Sequence, residues 1–195
     1  MQFLIIVKAS RESEAGRFPP REVHEAMRRF NDEMDEAGIL MAAEGLHPSC
    51  KGARIRFQGG ERIVTDGPFA ETKELVAGFW MVEVASREEA VGWAKRAPME
   101  DGAELEVRQV YLAAEGLQPS SKGARIRFEG KERIVTDGPF AETKELVAGF
   151  WMVEVGSREE AVGWAKRAPM ADGAELEVRQ VYLAKEVEEA LKNAV

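Results

Sequence analysis

Cysteine and histidine are the scarcest reactive residues of this 195-residue chain. Cys50 is its only cysteine, so no disulfide can form within the chain. The two histidines, His24 and His47, have no cysteine or carboxylate grouping beside them at the spacing of metal ligands. We therefore expect neither a metal nor a cofactor, and a cytoplasmic location fits best.

Positive charge is also in short supply. Lysine and arginine number 27 against 35 acidic residues, which gives a net charge of -8. A nucleic-acid partner calls for a basic face, so the charge argues against one. The apolar run at Phe3–Val7 follows no basic segment and is too short for a signal peptide or a membrane span. We expect a buried strand there and no membrane partner.

The chain contains a long internal repeat. Residues Ala42–Leu112 recur as Ala113–Leu183. The six substitutions are His47 to Gln118, Cys50 to Ser121, Gln58 to Glu129, Gly60 to Lys131, Ala85 to Gly156 and Glu100 to Ala171. So few changes indicate either a very recent duplication or an engineered one, and the sequence leaves both open. The unit is too long for a solenoid repeat, so we expect two globular copies.

The pattern of the first copy predicts a β-α-β, hairpin, β-α-β order. A strand at Phe3–Val7 precedes a helix that opens at Pro19-Pro20 and ends at Gly38. The remaining predicted elements are a strand at Ile39–Leu46, a hairpin about Gly59-Gly60, a strand at Gly78–Val84, a helix from the capping box at Ser86–Glu89 to Pro98, and a strand at Leu105–Tyr111.

This order is that of a ferredoxin-like α+β plait, with two helices on one face of an antiparallel sheet. We predict units at residues 1–112 and 113–195 that pair as a pseudo-dimer like a dimeric α-β barrel, each covering the other's open sheet face. Further self-association as a homodimer stays open. We expect Glu104–Leu117 to be one strand joining the copies. The tail Lys185–Val195 has apolar residues at helical spacing, and we expect it to dock on the second unit's sheet in place of the missing first helix.

The corner after the hairpin carries the most distinctive motif, Thr65–Leu75, repeated letter for letter at Thr136–Leu146. An Asp at such a turn commonly accepts from the N–H two residues on, but here that residue is Pro68. Asp66 is left with capping the N–H of Phe69 or Ala70, or with a functional role. Both interpretations stay open.

These residues resemble the YCII-related proteins, specifically the branch with the Asp-Gly-Pro-Phe motif. The resemblance rests on Pro19-Pro20 with His24, Ala43–Leu46 with Pro48-Ser49, Thr65–Glu74, Phe79–Val84 and Glu106–Arg108, and it recurs over 113–183 without the first strand and helix. It implies a fold similar to dimeric α-β barrels and a histidine-aspartate pair expected to support enzymatic activity.

The resemblance places the family histidine at His24 and the aspartate at Asp66, or at Asp137 of the second copy. Such a pair would serve acid-base chemistry near neutral pH. The second copy has no counterpart of His24. Arg54, Arg56 and Arg108 are weak candidates for binding an anionic substrate, since alternating arginines more often form a solvated face. We interpret His47 as a surface residue.

Two classes of function follow from this interpretation. The first is a small enzyme performing acid-base chemistry on a small organic acid or aromatic molecule. The second is a non-catalytic binding or assembly module, either natural and regulatory or engineered by segment duplication. A small-molecule ligand fits both classes.

Overall fold

The computed structural model of the chain describes residues 1–69, 75–111, 116–140 and 146–193, without the side chains of Leu191 and Asn193. Within these ranges, no helix has the length and apolar character needed to cross a membrane. The elements in chain order are β1 (Gln2–Lys8), α1 (Arg11–Glu14), α2 (Arg21–Glu36), β2 (Leu40–Gly45), β3 (Ala53–Gln58), β4 (Glu61–Asp66), β5 (Val76–Glu83), α3 (Arg87–Arg96), β6 (Glu104–Gln109), β7 (Ala124–Glu129), β8 (Glu132–Asp137), α4 (Arg158–Lys166), β9 (Glu175–Val178) and α5 (Ala184–Asn193).

Local signals set the ends of these elements. Gly38, at a φ of 68°, follows α2 in the left-handed region that favours glycine. At the start of α3 the Ser86 hydroxyl accepts the N–H of Glu89 at 3.1 Å. The Glu89 carboxylate accepts the N–H of Ala85 at 2.9 Å. The helix boundaries predicted from glycine and from the capping box are therefore close to the observed ones.

The first copy forms the predicted ferredoxin-like arrangement. Its strands lie in the order β2-β5-β1-β6, and the pairs β2-β5, β5-β1 and β1-β6 are all antiparallel. Helices α2 and α3 lie against one face of this sheet, where Phe30, Met34 and Ala94 are buried with Phe3 and Trp80. With two copies in one chain, the fold is a duplicated ferredoxin-like α+β fold.

The two copies exchange their hairpins. Strand β7 of the second copy pairs with β6, which extends the first sheet to six strands, and β3 of the first copy pairs with β9. The two pairings have the same register. Leu105 pairs with Ile126, and their repeat equivalents, Leu176 and Ile55, pair in the same way. The copies thus form a pseudo-dimer. The predicted barrel-like closure is not seen in the described residues, whose strands form separate sheets of six and three.

The second copy also covers the sheet face opposite the helices. Leu4 and Ile6 of β1 are buried there with Leu117, and Val147 and Phe150 pack against the same cluster. The second copy therefore covers apolar surface of the first copy, which is one half of the mutual covering that was predicted.

The prediction of one continuous strand over Glu104–Leu117 is wrong. Strand β6 ends at Gln109, and an antiparallel bridge then joins Val110 to Leu117. The N–H of Gln118 also donates to the carbonyl of Gln109 at 2.8 Å. The chain therefore reverses direction between the copies, because Leu117 buries its side chain against β1.

The second copy is incompletely covered, because it has no counterpart of β1 and α2. In the first copy Trp80 is 4% exposed and Val82 is fully buried. Their equivalents Trp151 and Val153 are 59% and 56% exposed, and residues 150–155 form no strand. One sequence therefore gives two local structures, depending on whether neighbouring strands are present.

The tail is helical as far as Asn193, where its described residues end, but its contact differs from the prediction. Helix α5 is joined to the first copy by a hydrogen bond in which the Glu186 carboxylate accepts from Nε2 of His47, at 3.3 Å. Val187 and Ala190 are half-buried, whereas the side chains of Leu191 and Ala194 lie outside the described residues. Trp151 remains exposed, so α5 does not substitute for α2 there.

Candidate functional site

The motif corner is anchored by its phenylalanine. Phe69 is 7% exposed, and the guanidinium of Arg54 on β3 lies 4.4 Å from the centre of its ring. Arg125 and Phe140 repeat this stacking at 4.4 Å in the second copy. The N–H of Phe69 donates to the hydroxyl of Ser49 at 3.3 Å, so Ser49 caps this group rather than Asp66. Ala70, the other cap considered for Asp66, lies outside the described residues.

The glycine of the motif is required by close packing. A Cβ on Gly67 would collide with the carbonyl oxygen of Ser49, and a Cβ on Gly138 would collide with that of Ser120. The obstructing atoms belong to the backbone and cannot move aside as a flexible side chain would. The motif thus holds each hairpin against the loop that precedes it.

The two motif aspartates bind arginines of the opposite copy. Asp66 pairs with Arg158 at the start of α4, and Asp137 pairs with Arg87 at the start of α3. Arg158 also donates to the carbonyl of Gly52 at 2.9 Å. The sequence prediction missed both arginines, because Arg87 was assigned only to a capping box. These aspartates therefore help to hold the copies together.

His24 lies on the first turn of α2 and is half-buried. In the described part of the chain its ring makes no hydrogen bond or ion pair, while both candidate aspartates are bound by arginines. The acid-base pair of His24 with Asp66 or Asp137 stays a prediction.

An open pocket lies beside the motif at the junction of the copies. Its volume is about 240 Å³. Its lining combines charged, hydroxyl and apolar side chains: Arg54, Arg56, Ile63, Thr65, Pro68 and Phe69 of the first copy, and Glu175 of the second. Glu175 lies 3.1 Å from Nη2 of Arg56 and 3.6 Å from Nη1 of Arg54. Two of the three arginines predicted to bind anions thus lie together.

A family model described as the YCII-related domain matches residues 1–114 and, a second time, residues 111–185. The chain belongs to the YCII-related family. It is 42% identical over 88 residues to a protein of Rhizobium meliloti (strain 1021) that is described as uncharacterized; the match covers 44% of this chain and 70% of that protein.

In this YCII-related chain, Arg108 is separate from the motif pocket. It is 3% exposed. Its Nη1 donates to Glu106 at 2.9 Å and its Nε to the carbonyl of Gln118 at 3.0 Å. Glu106 is itself buried and also lies 3.4 Å from Lys8. Alternating arginines were expected to form a solvated face. Arg108 is buried instead, because it pairs with a buried carboxylate.

His47 is the functional candidate that the sequence prediction missed. It was interpreted as a surface residue, but it is 2% exposed. Its Nε2 lies 3.3 Å from Glu186, its Nδ1 lies 3.3 Å from Lys51, and its ring centre is 3.8 Å from that of Tyr182. Because the repeat has Gln118 at the equivalent position, the sequence suggested that a histidine is not needed there. It did not show that the tail packs against His47 in the first copy only.

The surroundings of His47 set its protonation. Burial lowers the pKa of His47 below its ordinary value of 6.5; the charges of Lys51 and Arg179 act in the same direction, and Glu186 opposes them. The hydrogen bond from the N–H of Leu183 lowers the pKa of Glu186 most, and the hydrogen bond with the His47 ring lowers it further. At neutral pH, a neutral imidazole thus faces an ionised carboxylate.

This arrangement predicts a loss of stability in acid. A histidine with a lowered folded pKa stabilises the fold above its ordinary pKa, and this contribution disappears as the pH falls through the folded value. The free energy of unfolding should therefore fall more steeply from about pH 7 to about pH 5 in the wild type than in His47→Gln. Urea titrations at each pH measure it. Equal slopes in wild type and His47→Gln would contradict the assignment.

Proposed function

We propose that this YCII-related chain binds a small organic acid in the pocket beside its Asp-Gly-Pro-Phe motif. The observation that carries the proposal is the composition of that pocket. Arg54 and Arg56 place two guanidinium groups in a lining that contains one carboxylate, Glu175, while Glu177 outside the lining also binds Nε of Arg54 at 3.0 Å. The lining itself therefore offers more positive than negative charge, although the whole chain is acidic. Arginine suits a carboxylate partner because its donors form a planar fork.

The rest of the lining defines the other part of the ligand. Ile63, Pro68 and Phe69 offer apolar surface, and the Thr65 hydroxyl can donate or accept a hydrogen bond. The volume of about 240 Å³ limits the ligand to a small molecule. The class that fits best is a monocarboxylic acid with a short aliphatic or aromatic body. Because Glu175 belongs to the second copy, binding would draw on both copies.

The experiment is a thermal-shift screen of small aromatic and aliphatic carboxylates, followed by calorimetry on the hits. Arg56→Gln should weaken binding about tenfold or more, because a hydrogen bond to a charged group contributes about 1.5–3 kcal/mol. Arg29→Gln removes the same charge from the exposed surface of α2 and should leave the affinity unchanged. Equal affinities for wild type and Arg56→Gln would place the ligand elsewhere, and the absence of any stabilising carboxylate would contradict the proposal.

The second candidate is an acid-base enzyme that acts on such an acid, with His24 as the proton-transfer residue and Asp66 or Asp137 as its partner. The half-buried His24 side chain, which has no hydrogen bond or ion pair with any described residue, favours this candidate. Each ligand found by the screen is incubated with wild type and with His24→Gln, and products are followed by mass spectrometry. Conversion by the wild type that His24→Gln loses supports the enzyme. Binding without conversion supports the binding module.

A further inference from the structure

In the first copy, Glu14 at the end of α1 fills a carboxylate site. Its carboxylate accepts the Ser49 hydroxyl at 2.5 Å and the Ser49 N–H at 3.1 Å. It also accepts Nη2 of Arg179 at 3.3 Å. Ser49 is fully buried, and the side chains of Arg179 and Glu14 are 6% and 11% exposed. Three donors thus converge on one carboxylate that is almost removed from water, where such bonds are strong.

The second copy repeats the donors in the same conformation. Ser120 is the equivalent of Ser49, and Arg108 is the equivalent of Arg179. The preceding proline has φ and ψ of -51° and 151° in the first copy and of -49° and 146° in the second. Arg108 is anchored as Arg179 is, since each Nη1 donates at 2.9 Å to the glutamate two residues before it. Each Nε donates to the carbonyl of residue 47 or 118.

The carboxylate itself is missing from the second copy. The repeat begins at Ala113, so no segment equivalent to α1 precedes it and Glu14 has no counterpart. Ser120 is half-buried where Ser49 is fully buried. Among the described residues, neither the N–H nor the hydroxyl of Ser120 has an acceptor, and Arg108 Nη2 donates to the Gln118 carbonyl alone. Within the described ranges, the donors equivalent to those that hold Glu14, namely Ser120 and Nη2 of Arg108, therefore hold no carboxylate.

We propose that Ser120 and Arg108 form a second carboxylate-binding site, in which a small carboxylate takes the place that Glu14 occupies in the first copy. The N–H and hydroxyl of Ser120 would donate to one oxygen, and Nη2 of Arg108 to the other. Arg108 is 3% exposed and fixed by Glu106, so one wall of the site is formed before binding. This site is separate from the motif pocket at Arg54 and Arg56.

Acetate is the simplest probe, and the two copies provide a control within one spectrum. Sodium acetate is titrated into the full-length 15N-labelled chain, with sodium chloride at matched ionic strength in a parallel series. The Ser120 amide proton should shift downfield and saturate with acetate but not with chloride, because it gains a hydrogen bond to a carboxylate. The Ser49 amide should stay in place, because Glu14 already occupies it.

Ser120→Ala removes the hydroxyl and should weaken acetate binding about tenfold, whereas Ser121→Ala at the next position should have no effect. Arg56→Gln should leave the Ser120 titration unchanged, so the result does not depend on the function of the motif pocket. An unsaturated or chloride-like response of the Ser120 amide would overturn the proposal. So would equal shifts at Ser49 and Ser120, or equal affinities for Ser120→Ala and Ser121→Ala.

Discussion

Replacing Phe128 by alanine is expected to lower the free energy of unfolding by about 3–5 kcal/mol. Phe128 lies on β7 of the second copy but is buried in the core of the first, where it packs with Ile126, Leu105 and Val107. Its ring is 1% exposed, and Arg133 covers it at 4.3 Å. The loss combines the transfer energy of the ring with the cost of a cavity under α3.

Urea unfolding followed by circular dichroism measures this effect, and the repeat provides the comparison. Phe57→Ala removes the equivalent ring, also 1% exposed, from the half that lacks a counterpart of α2. We expect a smaller loss there, because an incomplete core can close around the missing ring. A change below about 1 kcal/mol in Phe128→Ala would show that the hairpin does not dock on β6 in solution.

Replacing Gly67 by alanine should cost about 1–3 kcal/mol through overpacking. The new methyl group would meet the carbonyl oxygen of Ser49 and the backbone of Cys50. Either the motif corner or the loop at residues 49–51 must shift, which would also disturb the hydrogen bond from Phe69 to Ser49. Gly138→Ala should behave alike, because its methyl group would meet the carbonyl group of Ser120 and the backbone of Ser121.

Gly163 provides a matched substitution with the opposite sign. It lies within α4, and a Cβ there would meet no atom within 4 Å. Gly163→Ala should therefore stabilise the protein by about 0.5–1 kcal/mol, because alanine is the better helix former. Both variants are measured by chemical unfolding at neutral pH. If Gly67→Ala were as stable as the wild type, the corner would not need the close approach that we describe.

The elements of the first copy follow closely from its sequence. The apolar spacing of α2, the hairpin glycines Gly59 and Gly60 and the capping box at Ser86 act over a few residues, so they predict structure from local signals. Gly59 and Gly60 occupy the turn with φ of 56° and 84°, as a two-residue hairpin turn requires. The strand order then follows from the α+β pattern.

The relation between the copies could not be predicted in the same way. In the structure, Leu105 of β6 pairs with Ile126 of the second hairpin. Both hairpins have the same alternation of apolar residues, so the sequence alone would allow β6 to pair with either one. The choice depends on the reversal between Val110 and Leu117, where a continuous strand was predicted. Residues 150–155 illustrate the same limit, because they repeat the sequence of a strand but lack the neighbours that would complete a sheet.

The candidate site was predicted in part. The motif pointed to a functional corner, and Arg54 and Arg56 do lie at a pocket beside it. The ion pairs of Asp66 and Asp137 were missed because their arginines lie 92 and 50 residues away in the chain. His47 was missed because its partner Glu186 is 139 residues away and belongs to a tail without a repeat equivalent.

The hairpin exchange has a consequence for synthesis on the ribosome. When residue 112 has been added, the first sheet still lacks β7, and its core lacks Ile126 and Phe128. At that point the native core of the first copy is therefore incomplete. The six-stranded sheet can be completed only after β7 and β8 have left the exit tunnel, and the three-stranded sheet only after β9 has done so. The order of translation therefore sets the order in which the two sheets can be completed.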